Sequence, residues 1–295
     1  MEHETATRDD GSNDFERSYS EIARSGFTVP ALYDKYRPGY PDEVVDYLIH
    51  NLKIPSNASI LEIGAGTGKL TEVLSSRLPA SCITAMEPHP TMRAFLEQKR
   101  LKNVTVMDGL AQSIPLPDDV VDCILIAQAF HWFANIESLK EMNRVLKSAG
   151  GGLGLIWNME DYNSPRSLPV QTEWESQLRE LIWSLDDYQP RFKSKVWHKP
   201  FFDPAAKDLF TLPLNADTWR VERQIPVAEL EGRILTYCML QNADAEDARL
   251  HRRRILEILE AGSLLNGELV MRSSVVAVWT NKKVHVELSA DSPVN

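Results

Sequence analysis

Between residues 58 and 157 short apolar runs alternate with helical patterns, and few architectures accept that order. Strands are expected at 58–63, 82–87, 103–107, 121–127 and 152–157. Helices are expected at 67–78, 90–101 and 134–148, the last with Ile136, Leu139, Met142 and Leu146 at helical spacing. A run such as Cys123-Ile-Leu-Ile-Ala127 is continuously apolar, which suits a parallel strand covered by helices on both faces. The alternation therefore predicts a doubly wound α/β domain. A helix opening at Pro41 precedes it, with acids in its first turn and Val44, Val45, Leu48, Ile49 and Leu52 along one face.

On either side of this block the pattern changes. Residues 1–28 are acidic and small polar, with little apolar periodicity, and are expected to form a disordered tail. After Trp157 the rhythm breaks: 168–188, 229–241 and 244–261 look helical, while 189–205 is rich in Pro, Phe, Lys and Trp. Val270–Thr280 is the strongest late strand. The second half is expected to be the remainder of the sheet with helices inserted as a lid. No apolar run reaches the roughly 18–20 residues of a membrane span, and the start of the chain lacks the apolar centre of a secretory signal. Cys82, Cys123 and Cys238 are odd in number and far apart, which suggests buried, reduced thiols in a cytoplasmic protein and no metal cluster. A net charge of −10 disfavours a broad phosphate-binding surface, and His251-Arg-Arg-Arg254 is too short a basic run to outweigh it.

The first strand ends in LEIGAGTGKLT, residues 61–71, a glycine turn that three cofactor classes use in different forms. A nucleoside-triphosphate loop reads G-x-x-x-x-G-K-[ST], but Ile63 stands where its first glycine belongs and Leu70 where its hydroxyl belongs. The dinucleotide fingerprint G-x-G-x-x-G needs a third glycine at position 69, which is Lys69. What remains is G-x-G-x-G at Gly64, Gly66 and Gly68, directly after a strand carrying Glu62.

With this turn the chain resembles the class I S-adenosylmethionine-dependent methyltransferases. Four further segments follow that family in order: YDKYRPGYP at 33–41, AMEPHPTM around Glu87, DGLAQSIPLPDDVVD after the third strand, and IAQAFHWF at 126–133. These narrow the match to the type 11 methyltransferase domain, near its trans-aconitate-like and fungal small-molecule members. The resemblance covers about Tyr33 to Asn158 and implies a Rossmann-like, seven-stranded sheet, with 29–160 as cofactor-binding core and 161–295 completing the sheet and carrying the lid.

It also implies roles. Glu62, the turn residues Gly64, Ala65, Gly66, Thr67 and Gly68, and Gln128 would surround S-adenosylmethionine. Glu87, followed by Pro88, would take the ribose hydroxyls, and Leu110 and Ala111 would flank the adenine, with Gln112 near its amino group. Tyr33, Tyr36, Arg37 and Tyr40 would lie over the cofactor, Arg37 as a candidate for its carboxylate and Tyr40 towards the acceptor; an N-terminal helix packing aromatics on the sheet is the alternative. His131 would meet the acceptor as a base, as an orienting hydrogen-bond partner, or else be held structurally in its turn. Trp132 and Trp157, with Tyr162 and Trp174, would line an aromatic acceptor pocket or belong to the core. The expected activity is methyl transfer to a small organic molecule, such as a carboxylate or hydroxyl. Methylation of tRNA or protein, and cofactor binding without transfer, are the alternatives.

Overall fold

The computed structural model describes residues 29–185, 191–264 and 266–284; the expected N-terminal tail lies outside them. The chain opens with α1 (Pro30–Tyr36) and α2 (Asp42–Asn51). There follow β1 (Ser59–Ile63), α3 (Lys69–Arg77), β2 (Cys82–Met86), α4 (Pro90–Gln98), β3 (Val104–Met107) and β4 (Cys123–Ala127). Then come α5 (Ile136–Val145), β5 (Gly152–Glu160), α6 (Glu173–Ser184), β6 (Asn215–Pro226), α7 (Val227–Ile234), α8 (Ala245–Gly262) and β7 (Glu268–Asn281). Among the described residues seven strands form one sheet in the order β3-β2-β1-β4-β5-β7-β6. β1 to β5 pair in parallel, and β7 runs antiparallel to both β5 and β6. This is the doubly wound, Rossmann-like α/β sheet that the alternation predicts.

Alternate strand residues feed opposite faces, because side chains reverse at each step along a strand. Leu61, Ile63, Ile124, Ile126, Leu153 and Leu155 pack under α5 with Leu139, Met142 and Val145. Ile60, Cys123, Leu125 and Ile156 pack on the other face, under Val44, Val45 and Leu48 of α2 and Leu70 and Leu74 of α3. A third core joins α6, α7 and α8 to the far ends of β6 and β7 through Leu178, Ile182, Leu230, Ile255, Ile225 and Met271.

Local signals place the helix ends more tightly than periodicity does. The expected helix 67–78 begins only at Lys69, since Gly68 has φ +89 and turns the chain. Asn135 starts α5 by accepting the Ser138 amide at 2.8 Å. Thr172 and Glu175 form a capping box at the start of α6, inside the expected 168–188. The expected helix 229–241 is interrupted after Ile234 and resumes only for Cys238–Gln241. β6 has no counterpart among the expected elements. It pairs with β7 along its whole length, from Asn215↔Trp279 to Pro226↔Glu268, yet most of its side chains are exposed. One face of this edge strand is solvated along its length and the other is covered only in part, at Trp219, Val221 and Ile225, so the ladder holds it and its apolar stripe is too sparse to read. Cys123 and Cys238 are buried, but Cys82, expected inside, begins β2 at the sheet's margin and is exposed. Among the described residues no helix is long and apolar enough to cross a membrane.

Candidate active site

The sheet order reverses between β1 and β4: from β1 the chain runs outward through β2 and β3, then returns to lay β4 on the other side. The diverging connections leave a crevice at the carboxyl ends of these strands, where open α/β sheets bind ligands. A cavity occupies this crevice, lined from β1 to the segment after α7.

Its floor is the glycine turn. Gly64 and Ala65 donate their amides to the Met86 carbonyl at 2.8 and 3.2 Å, folding the turn over the end of β2. Gly64, Gly66 and Gly68 all have positive φ, but they do different jobs. A Cβ on Gly64 would stand 2.7 Å from the Ala129 Cβ, and one on Gly68 would collide with Leu96, so these two permit packing. A Cβ on Gly66 would meet nothing within 4 Å. Of the three glycines, Gly66 alone leaves open space where a Cβ would stand. Beside it, Thr67 is buried and its hydroxyl has no hydrogen-bond partner.

Two carboxyls flank the turn. Glu87 accepts the Gly66 amide at 2.7 Å and the His89 amide at 2.8 Å, tying the turn to the loop after β2. Burial pushes its carboxyl up against the opposing pull of those two amides. Arg93 fixes the loop by donating to the carbonyls of Glu87 and Pro88 at 2.8 and 3.1 Å. Glu62, 1% exposed, accepts the Thr71 hydroxyl at 2.7 Å. Burial pushes its carboxyl up to about 8, with the charge of Glu87 adding to the rise and Thr71 opposing it.

Two segments distant in sequence form the roof. Arg37 donates from Nε to the Thr236 hydroxyl at 2.7 Å and lies over the Tyr237 ring at 4.3 Å and the Tyr33 ring at 5.3 Å. Behind it Glu160, at the end of β5, forms a buried ion pair with Arg233 of α7 and accepts the Tyr237 hydroxyl at 3.5 Å. Burial raises the Glu160 carboxyl, but Arg233 and Arg37 together hold it below the usual range.

The strand-four side carries His131 and Trp132 on the helical turn Phe130–Trp132. Gln128, with φ +55, donates from Nε2 to the Asn158 carbonyl at 2.8 Å and bridges the ends of β4 and β5. The Trp157 indole N–H donates to Nδ1 of His131 at 3.4 Å. Burial, then the nearby Arg191, pushes the His131 imidazole down to about 3. Arg191 lies over the Trp132 ring at 4.9 Å and contacts the Cys238 sulfur at 2.9 Å, closing the cavity from the second half.

Of the residues expected around the cofactor, Tyr33, Arg37, Glu62, Gly64, Ala65, Gly66, Thr67 and Gln128 line this cavity, as do Tyr40, His131 and Trp132. Gly68, Glu87, Pro88, Leu110, Ala111 and Trp157 do not. Glu87 still reaches the turn through Gly66, whereas Leu110 is 54% exposed and Ala111 is packed in the core. Trp157 is a correction. It is wholly buried, stacked on Phe192 with ring centres 4.6 Å apart, and supports His131 from behind. Tyr162 and Trp174 likewise belong to the third core. Gly64 lines the cavity and also admits the close approach of Ala129. Sequence reading passed over the cavity residues Lys69, Asn158, Glu160, Arg191, Lys193, Tyr237 and Cys238. Lys69 carried a signal, as the residue that breaks the dinucleotide fingerprint; the Glu160–Arg233 pair, 73 residues apart, carried none.

Residues 61–153, which hold β1 to the start of β5, match the methyltransferase domain family. Over that stretch the chain is similar to a methyltransferase domain. The chain is 38% identical over 174 residues to an uncharacterized methyltransferase-like protein of Schizosaccharomyces pombe, covering 59% of this chain and 64% of that one. It is 41% identical over 166 residues to an uncharacterized methyltransferase of Mycobacterium tuberculosis, covering 56% and 61%. The chain thus spans under two thirds of the length of these curated relatives. Among solved structures, a candidate type II methyltransferase from Anaeromyxobacter dehalogenans has a TM-score of 0.61 at 19% identity, covering 84% of this chain and 98% of that one. The YcgJ protein of Bacillus subtilis has a TM-score of 0.52 at 19% identity, covering 83% and 100%. The chain shares its fold with both.

Proposed function

We propose that this protein is an S-adenosylmethionine-dependent methyltransferase acting on a small organic acceptor. The observation that carries the reading is the glycine turn, where Gly66 opens onto the cavity beside the buried, unpartnered hydroxyl of Thr67. A turn built this way expects a polar occupant, since an unsatisfied buried hydroxyl is costly. The donor set fits that cofactor. Gly66, Thr67, Glu62, Tyr33 and Gln128 surround the place for its amino-acid and sulfonium end, and Glu87 lies behind Gly66 for the ribose. Bound there, the cofactor supplies a methyl carbon activated by a positive sulfur. The chain supplies alignment, and well-held reactants reach effective molarities of roughly 10⁵–10⁸ M.

His131 orients the acceptor rather than deprotonating it. An indole N–H only donates, so Nδ1 of His131 accepts from Trp157 and the neutral ring carries its proton on Nε2. Nε2–H is a hydrogen-bond donor, suited to an acceptor oxygen. Trp132 and Tyr40 add aromatic surface, and the segments around Arg191 and Tyr237 act as the lid of a 161–295 unit. A net charge of −10 supports a small acceptor over a nucleic acid, and three free thiols support a cytoplasmic setting.

Calorimetry tests the cofactor, and incubation with a metabolite extract tests transfer. Saturable binding of S-adenosylmethionine and S-adenosylhomocysteine is expected, with one acceptor gaining a methyl mass. Tighter binding of NAD overturns the cofactor reading, and binding without formation of S-adenosylhomocysteine leaves a non-transferring binder.

A further inference from the structure

The segment rich in Pro, Phe, Lys and Trp runs from the cavity wall to the surface, and its two sides carry different cations. Residues 191–207 hold five Lys or Arg and one acid, in a chain whose net charge is −10. Arg191 and Lys193 belong to the inner side: both line the cavity, and their charges lie over the rings of Trp132 and Trp183 at 4.9 and 4.3 Å. Lys195, Lys199 and Lys207 are exposed, and among the described residues none of the three forms an ion pair. The acids beside them are engaged: Asp203 accepts the Ala205 amide at 2.8 Å, and Asp208 lies 3.8 Å from the Lys283 ammonium.

Phe202 stands on the outer side. At 74% exposed it is the most exposed of the large apolar side chains among the described residues. It ends the 3₁₀ turn Lys199–Phe202, where residues three apart eclipse, so Lys199 and Phe202 share a face while Pro200 and Phe201 are buried. Phe201, Ala206 and Phe210 anchor the turn from beneath by packing with Leu139 and Met142 of α5. Behind Phe202 the rings continue inward: His198 lies 5.3 Å from it, Trp197 5.7 Å from His198, and Phe192 of the cavity wall 5.8 Å from Trp197. A lone exposed ring is ordinary. A ring on a fixed turn, among lysines with no acid to answer them, matches a surface that is apolar within and anionic at its rim.

We infer that this face docks on an anionic lipid bilayer, with Phe202 entering the acyl boundary and Lys195, Lys199 and Lys207 at the headgroups. The net charge of −10 does not prevent it, because at 0.1 M salt charges more than about 10 Å away are largely screened. One ring and three lysines supply the apolar and ionic signals that reversible membrane binding combines. A single-stranded nucleic acid would ask for more phosphate contacts and for successive rings under its bases. Because the same segment closes the cavity, docking brings the lid to the bilayer surface. It needs neither cofactor nor acceptor, so its failure leaves the proposed activity standing.

Vesicle co-sedimentation of the full chain tests the docking, with phosphatidylcholine alone and with about one third phosphatidylserine added. Saturable binding is expected on the mixed vesicles, falling with salt. On the neutral vesicles it should be about 100-fold weaker, at about fivefold for each of the three lysines. Lys199→Gln should lose about fivefold on the mixed vesicles, and Phe202→Ser about 10- to 100-fold. Phe202→Trp should bind as the wild type does, and its added indole should be quenched by brominated lipid. Leu250→Ser, at an exposed leucine of α8, should leave binding unchanged. The replaced side chains are all exposed, and unchanged thermal melts confirm that each variant keeps the fold. No binding to the mixed vesicles, equal binding to the neutral ones, or lysine-dependent binding that Phe202→Ser leaves intact would each overturn the assignment. So would an equal loss in Leu250→Ser, or tighter binding to a single-stranded oligonucleotide than to the mixed vesicles.

Discussion

Trp157→Phe should change the protonation of His131 without emptying the space behind it. In the wild type the indole N–H occupies Nδ1, and burial with Arg191 pushes the imidazole from its usual 6.5 down to about 3. At about 1.4 kcal/mol per pKa unit, protonating the buried ring costs about 4–5 kcal/mol more than in water. Fewer than about one molecule in a thousand then carries the imidazolium at pH 7. Phe keeps the aromatic stack on Phe192 and Trp197 but removes the donor. Arg191, Lys193, Cys238, Tyr40 and Glu62 line the same cavity as His131. Burial, the larger cause of the depression, and Arg191 both remain in the variant, so the titration should stay well below 6.5 while the tautomer is released.

Long-range proton–nitrogen NMR on histidine-labelled protein reads this directly. Wild-type His131 should show Nδ1 unprotonated and Nε2 protonated, unchanged from pH 5 to pH 8, and the variant should populate the Nδ1-protonated neutral tautomer within that window. The depressed value also has a stability consequence. The unfolded chain binds a proton at His131 below about 6.5 that the folded chain refuses until about 3, so stability drops as pH falls through that interval. His131→Gln should flatten the loss, by about 3 kcal/mol at pH 4. Methyl transfer should show no histidine limb between pH 6 and 7, and Gln at 131 should retain a rate within about tenfold, since its amide can still donate. A wild-type His131 found protonated on Nδ1, or titrating near 6.5, refutes the reasoning and restores the general base.

Glu62→Gln should stabilise the protein most at alkaline pH. The folded chain keeps a proton on Glu62 up to about 8 while the unfolded chain releases it near 4.5, so wild-type stability falls between these values. Urea unfolding of the variant should gain up to about 4–5 kcal/mol at pH 8 and little at pH 4, and equal gains at both would contradict the assignment. Glu160→Gln should destabilise the fold by about 3–5 kcal/mol, because it leaves Arg233 buried and uncompensated. Adding Arg233→Met should return part of that loss; strictly additive losses in denaturant melts would count against coupling. Glu87→Ala should weaken S-adenosylhomocysteine by about 2–4 kcal/mol in calorimetry, since it frees the Gly66 amide as well as removing the ribose partner. An unchanged affinity in a folded variant would confine Glu87 to supporting the turn.

What could be read in the sequence, and what could not, divides by the range of the interaction. Strands β1, β4 and β5 announce themselves because burial on both faces demands continuous apolar runs, and the turn between β1 and α3 because positive φ at three positions selects glycine. Both are local demands, written within ten residues. β6 makes the opposite demand: solvated on one face, covered only in part on the other and held by its ladder to β7, it needs no apolar residue at most positions. The cavity is divided in the same way. Its floor comes from one contiguous stretch and could be named residue by residue, whereas its roof joins Arg37 to Thr236 and Glu160 to Arg233, pairs that only the folded chain brings together. Trp157 shows how the two kinds of information conflict. The resemblance offered it as acceptor wall or core; the indole turns into the core, where its single donor sets which nitrogen of His131 is left to face the cavity. A residue can therefore act on a cavity without lining it. Position along the motif proposes His131 for the site, and the packing behind it favours a donor over a base.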